Sequence, residues 1–133
     1  MKKSQSGFTL IELVVVIVLL GILGVTALGK FQDLSGQAQT AAVNAVAAEI
    51  TGASTINYAT RLLDVTAGED FSVADVCTDV IIGSILTTGI PSGYAITGTG
   101  DCSGANAAGT TVACTLTHTA SSTTASPPVI CSN

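Results

Sequence analysis

The clearest pattern along the chain is a long apolar run close to its first residue. Residues 8–29 contain a single charged side chain, Glu12, and they follow a polar, basic stretch over residues 1–7. Twenty-two residues form a helix of about 33 Å, which is long enough to cross the hydrocarbon core of a membrane. The pattern therefore predicts a transmembrane helix, and Lys2 and Lys3 favour a cytoplasmic N-terminus.

Beyond this run the apolar pattern changes but remains helical. Apolar positions recur at steps of three and four residues, which is typical of one face of a helix. These positions are Phe31, Leu34, Ala38, Ala42, Val46, Ile50, Ala53 and Ile56. We therefore predict an amphipathic continuation over residues 30–59, so that one helix runs from Phe8 to about Ala59 with its stripe covered by the C-terminal part.

The remaining residues, 60–133, predict a small α+β head. Apolar residues within 60–69 follow neither the helical nor the strand period, so this segment is expected to form a loop. Ser72 and Asp75 resemble a capping box, which predicts a second helix over residues 73–86. Alternating positions predict three short antiparallel strands at Tyr94–Thr97, Thr110–Thr119 and Val129–Cys131, with an exposed loop over residues 120–128 and a fourth strand left unplaced.

Four cysteines, Cys77, Cys102, Cys114 and Cys131, all follow the predicted membrane helix. They form no Cys-x-x-Cys pair, and the single histidine, His118, does not complete a zinc site. We expect two disulfides formed in an oxidising compartment, because a core this small usually needs covalent support. The sequence leaves all three possible pairings open.

Charge and motifs argue against several functions. Nine acidic side chains outnumber four basic ones, so we expect no direct nucleic-acid contact. Asp75, Asp79 and Asp101 suggest a calcium site only weakly, because their spacing matches no known loop, and solvated or helix-start acids are the preferred interpretation. His118 lies near no nucleophile elbow. We therefore expect no enzymatic activity, cofactor or metal.

The first twelve residues carry a family resemblance. Gly7-Phe8-Thr9-Leu10-Ile11-Glu12, preceded by Lys2 and Lys3, resembles the N-terminus of short-leader type IV pilins, and the similarity extends to about Arg61. Residues 12–18 and 30–34 are most similar to the mannose-sensitive haemagglutinin branch. The resemblance implies that a membrane peptidase cleaves after Gly7 and methylates the new N-terminus, Phe8, and that Glu12 is needed for subunit assembly.

The resemblance also implies a domain organisation and a disulfide pairing. We expect a leader over residues 1–7, a filament-core helix over 8–29, its amphipathic continuation over 30–59, and a disulfide-stapled head over 60–133. This is the α+β pilin fold, in which the second half of the helix packs on a small antiparallel sheet. Many such pilins close a C-terminal loop with a disulfide, which favours Cys114–Cys131 and leaves Cys77–Cys102.

The implied function is that of a structural subunit. The chain would span the inner membrane, be processed by the prepilin peptidase and methyltransferase, and join other pilins through the inner-membrane assembly machinery into an extracellular filament. A pseudopilin of a type II secretion system is the alternative. A lone acid in a membrane costs roughly 2.5–3.5 kcal/mol, so Glu12 needs a partner, either the Phe8 amine of a neighbouring subunit or its own.

One position departs from the family pattern. The family commonly has a proline about three turns into the helix, where this chain has Gly29. Glycine weakens a helix by about 1 kcal/mol relative to alanine but retains the N–H group that proline lacks. Gly21, Gly24 and Gly29 together suggest that this stretch unwinds in an assembled filament.

Overall fold

A computed structural model of the chain describes residues 7–104 and 107–132. The chain divides into two compact units, residues 1–37 and 38–133. One helix, α1, contributes to both units and runs over 54 residues, Leu10–Leu63. It ends four residues later than predicted, at a turn in which the Asp64 carboxylate accepts a hydrogen bond of 2.8 Å from the Thr66 N–H.

In the first unit, α1 carries an apolar surface that no other part of that unit covers. All described residues up to Gln37 are exposed. The Thr26 hydroxyl donates to the Leu23 carbonyl at 2.9 Å, so its polar group is satisfied within the helix. Among the described residues, α1 is the one helix whose length and composition suit a membrane span.

In the second unit, α1 buries a stripe that differs from the predicted one. Its buried residues follow steps of four and three, and they are Val43, Ala47, Ile50, Ser54 and Asn57. Val46 and Ala53 pack against this core as expected. Ile56, predicted to be covered, is 68% exposed, because the stripe drifts around the helix and the polar residues Ser54 and Asn57 take the buried positions.

The second helix, α2, is much shorter than predicted and spans Asp79–Ser84. Its N-cap is Thr78, whose hydroxyl accepts from the Ile81 N–H, so the capping box expected at Ser72 is wrong. The acids near that position form turns instead. Asp70 accepts from the Ser72 N–H at 2.9 Å and Asp75 accepts from the Cys77 N–H at 3.0 Å.

The head contains five short strands in two antiparallel sheets. They are β1 (Tyr94–Thr97), β2 (Thr111–Ala113), β3 (Thr115–His118), β4 (Thr124–Ala125) and β5 (Pro128–Ile130). One sheet has the order β1-β3-β4, and the other pairs β2 with β5. The first predicted strand is confirmed, the second is split at Cys114 between the two sheets, and β4 lies in the segment predicted to be an exposed loop.

These elements enclose one small core. It combines the α1 stripe with residues of both sheets and the connecting loops, including Phe71, Val76, Ile82, Leu86, Ile96, Leu116 and Val129. The α+β pilin fold predicted from the resemblance is therefore confirmed, with two small sheets in place of one. The second half of α1 also meets β5 directly, because the Ser54 hydroxyl accepts from the Ile130 N–H at 2.6 Å.

All four cysteines form disulfides, but the pairing predicted from the resemblance is wrong. The pairs are Cys77–Cys114 and Cys102–Cys131, with Cα atoms 5.3 and 5.4 Å apart. The β2–β5 register explains this. Cys114 follows β2 and donates its N–H to Pro127, whereas the Cys131 N–H donates to Thr110 at the other end of the same ribbon. Antiparallel pairing thus keeps Cys114 and Cys131 apart.

Candidate assembly site

The N-terminal junction is open to other molecules. Gly7, Phe8 and Thr9 precede α1 and are exposed, with the Phe8 side chain at 88% of its full accessibility. Among the described residues beyond its chain neighbours, no atom lies within 4 Å of a methyl group placed on Gly7. Both residues of the Gly7–Phe8 peptide bond are therefore exposed.

Glu12 lies one turn further on and caps the helix. Its Oε2 atom accepts hydrogen bonds from the N–H and the hydroxyl of Thr9, both at 2.8 Å. In return the Glu12 N–H donates to the Thr9 hydroxyl at 3.4 Å. This reciprocal arrangement is a capping box, which satisfies two groups at the helix start and places negative charge at its positive end.

The capping box leaves half of the carboxylate unused. Every described hydrogen bond to the Glu12 side chain ends on Oε2, so among the described residues Oε1 accepts none. Around it lies a shallow groove of about 350 Å³ lined by Phe8, Ile11, Glu12, Val15 and Val16. Glu12 is the single ionisable side chain of this apolar surface, and its second oxygen can accept from a donor on another molecule.

Thr9 is a helix-capping residue that the sequence analysis did not identify. The signal was present, because Thr9-Leu10-Ile11-Glu12 fits the Ser/Thr-x-x-Glu pattern that marks helix N-termini. The same pattern was instead assigned to Ser72 and Asp75, where the chain forms turns. An apolar run follows directly after Thr9, and that context distinguishes the two places.

The other candidate residues stabilise the head. Asp79 accepts from the Ile96 N–H at 2.7 Å, and Asp75 accepts from the N–H groups of Cys77 and Gly100. Hydrogen bonds from the Ser103 side chain and N–H lower the pKa of Asp101. Among the described residues no group of three His, Cys, Asp or Glu side chains could hold a metal ion.

His118 is the last residue of β3 and contacts the turn that follows it. Its Nδ1 atom lies 2.8 Å from the Ser121 hydroxyl oxygen in the connection between β3 and β4. Its ring packs edge-on against Tyr94, with ring centroids 5.1 Å apart. These contacts stabilise the β3–β4 hairpin and its junction with β1.

A second polar cluster in the head was also missed. The Asn57 side-chain amide donates to the Glu69 carbonyl and to the Ser132 hydroxyl, both at 2.9 Å, and its oxygen accepts from the Glu69 N–H at 2.7 Å. Gly68 allows this approach, since a methyl group there would lie 2.7 Å from the Asn57 oxygen. No local pattern marks Asn57, because its partners are 12 and 75 residues away.

The N-terminal geometry defines a class of protein whose first helix exposes an apolar surface to other molecules. That surface includes one acid, Glu12, and among the described residues only one of its two carboxylate oxygens accepts hydrogen bonds. Comparisons with known proteins agree. The prokaryotic N-terminal methylation motif matches residues 2–28. The type IV narrow pilus major component PilA5 of Thermus thermophilus is 52% identical over 50 residues, which is 38% of this chain and 43% of that protein.

A fimbrial protein of Pseudomonas aeruginosa is 46% identical over 52 residues, covering 38% of this chain and 34% of that protein. The matched part is therefore less than half of each relative. No solved structure matches the chain. Over the matched stretch the chain is therefore similar to type IV pilus subunits, and the exposed N-terminal helix agrees with that similarity.

Proposed function

We propose that this chain is a structural subunit of a type IV pilus, held in the inner membrane before assembly and in an extracellular filament afterwards. One observation carries the proposal: the apolar surface of residues 8–29 is exposed throughout and has a single acid, Glu12, which forms a capping box near its start. Such a surface is stable in lipid or against copies of itself, and both environments occur in the life of a pilin.

Processing creates the partner of the acid. Cleavage after Gly7 by a prepilin peptidase frees a positively charged amine on Phe8, and N-methylation keeps that charge. In a filament core both the amine and Glu12 are costly when alone, and pairing them between neighbouring subunits offsets the two costs. The unused Oε1 atom of Glu12 supports this arrangement, because a neighbour's amine can bind there while Oε2 stays on Thr9.

Filament imaging and one substitution test the proposal. Long surface filaments containing the chain, with a methylated Phe8 found by mass spectrometry, are the expected result, and their length separates a pilus from the short periplasmic fibres of a pseudopilin. The Glu12→Ala variant is expected to be processed normally, but its filament yield should fall more than about a hundredfold. The reason is that the substitution leaves the Phe8 amine of a neighbouring subunit buried without its partner.

A matched substitution serves as the control. Asp64→Ala removes an exposed acid just after α1, outside the apolar run, and should leave filament yield close to normal. Normal filament yield from Glu12→Ala would contradict the proposed role of this acid. A chain that is never cleaved after Gly7 would contradict the proposed function as a whole.

A further inference from the structure

The second unit contains an open groove that the proposed function leaves unexplained. It has a volume of about 600 Å³ and lies between the second half of α1 and the segments that carry Glu69 and α2. Its apolar lining includes Ala53, Ile56 and Ile85, and the Ile56 side chain is 68% exposed. An exposed isoleucine in a groove of this size indicates a surface that another molecule can cover.

The charge of the groove is negative. Glu49 and Glu69 both line it, and among the described residues neither forms an ion pair. The position of Glu69 is well defined, because both its N–H and its carbonyl are hydrogen bonded to the Asn57 side chain. An occupant should therefore combine a cationic side chain with apolar neighbours.

The Phe8 amine of a second copy is already assigned to Glu12, so a cation for the groove has to come from a side chain. Cleavage after Gly7 leaves two basic side chains, Lys30 and Arg61. Arg61 is paired with Asp70 at 3.4 Å, and its side chain is only 12% exposed. Lys30 is exposed and forms no ion pair among the described residues.

The neighbours of Lys30 provide the apolar part. Phe31 and Leu34 are 73% and 60% exposed. Leu34 lies one turn from Lys30 and three residues from Phe31, so it joins the two into a continuous surface with the Lys30 charge at its edge and Asp33 beyond that edge. This surface is complementary in charge and polarity to the groove.

We propose that the groove binds the Lys30–Leu34 turn of α1 from a neighbouring subunit, with Lys30 placed between Glu49 and Glu69. This proposal rests on the proposed polymerisation and adds to it. The filament would then be held by two different ion pairs, Phe8 with Glu12 in its core and Lys30 with the acidic groove further out.

Charge reversal and its compensation test the contact in the full-length chain. Lys30→Glu and Glu49→Lys should each reduce the amount of filament sheared from cells roughly tenfold, because each brings like charges together. The double variant should restore most of that yield. Asp64→Lys is the matched control, an acid-to-lysine change outside the groove, and it should assemble normally.

The amount of mature subunit in the membrane and the formation of its two disulfides are measured for every variant. These two measurements reveal any defect in processing or folding. Wild-type yield from either single variant, or a double variant no better than the worse single one, would overturn the contact. A third outcome would also overturn the contact: Glu49→Lys lowers the filament yield, but Lys30→Glu alone does not, and adding Lys30→Glu does not restore the yield. The groove would then bind a different partner. If Glu12→Ala loses its filaments while the Lys30 and Glu49 variants assemble normally, the groove contact is excluded but the proposed function is not.

Discussion

The two units of this protein solve the same problem, the burial of apolar surface, in opposite ways. In residues 7–37 every side chain is exposed, so its apolar surface has no partner within that unit. In residues 38–132 a closed core includes fully buried side chains such as Phe71, Ile50 and Leu116. The first unit therefore leaves its apolar surface uncovered within itself, whereas the second unit buries its own apolar core.

Polar groups follow the same division. In the first unit they are satisfied locally: Glu12 bonds to Thr9 and Thr26 to Leu23, each three residues away. In the second unit the important partners are distant, with Asn57 and Ser132 separated by 75 residues along the chain. A sequence motif can therefore describe the first unit, but only folding assembles the second.

The disulfides give the sharpest test of the self-contained unit. Serine at Cys77 and Cys114 removes one disulfide and should lower the free energy of unfolding by about 3–4 kcal/mol, from loop-closure entropy. Serine at Cys114 and Cys131 disrupts both disulfides and should cost about twice as much. Urea unfolding of the detergent-solubilised chain, followed by tyrosine fluorescence, measures the difference.

The tyrosines Tyr58 and Tyr94 both lie in the second unit and the chain has no tryptophan, so the signal reports on that unit alone. Equal losses from the two serine pairs would contradict the observed pairing. Non-reducing peptide mapping provides the direct control, with Cys77 expected on the same fragment pair as Cys114.

Asn57 tests the long-range polar cluster. Asn57→Ala removes three hydrogen bonds and leaves the Glu69 backbone and the Ser132 hydroxyl without these partners, so unfolding should become easier by about 2 kcal/mol. The same urea experiment measures it. Thr55→Ala on the exposed side of α1 is the matched control and should stay within about 0.5 kcal/mol of the original. Similar values for both variants would show that the cluster does not stabilise the head.

Thr9 tests the local capping of the first unit. Thr9→Ala removes the reciprocal hydrogen bonds to Glu12 and should destabilise the start of α1 by about 1 kcal/mol. Amide hydrogen exchange of Glu12 and Leu13, whose N–H groups donate to Thr9, should then become roughly fivefold faster in micelles. Thr26→Ala should leave those amides unchanged. An equal change in the tyrosine unfolding curve would mean that the two units are not energetically separate.

The smallest expected effect is the response of the head to acid. Hydrogen bonds from the Ser72 side chain and N–H, with a weaker contribution from Arg61, hold the pKa of Asp70 below its usual value. A lowered folded-state pKa stabilises the fold above the ordinary aspartate pKa of about 4, and this contribution is lost as the pH falls through the folded pKa. Asp70→Asn should therefore flatten the decrease in the urea midpoint between about pH 5 and pH 2. An unchanged slope would exclude this contribution.

Much of the first unit could be predicted from residues alone. The apolar run and its length indicate a membrane-length helix, because a helix of that length satisfies its own backbone whatever surrounds it. The Thr9 cap could have been found in the same way. In the head, β1 was predicted correctly because Tyr94–Thr97 alternates and lies between turn residues.

The predictions that failed concern contacts between distant residues. The predicted second helix is too long because Ser72 and Asp75, which resemble a capping box in sequence, lie in turns formed by the Asp70 and Asp75 carboxylates. The Thr110–Thr119 strand was divided because Cys114 lies where the chain passes from one sheet to the other. Neither outcome depends on local propensity, so periodicity could not distinguish it from the alternatives.

By itself, the sequence of this protein determined its N-terminal helix, the acid within it and the need for disulfides, since each depends on composition or on residues within one helical turn. The tertiary structure alone decided which cysteines pair, which face of α1 is buried, and that Ser54 and Asn57 belong to the core. Those outcomes depend on the β2–β5 register and on partners 75 and 76 residues away, which become neighbours only when the chain has folded.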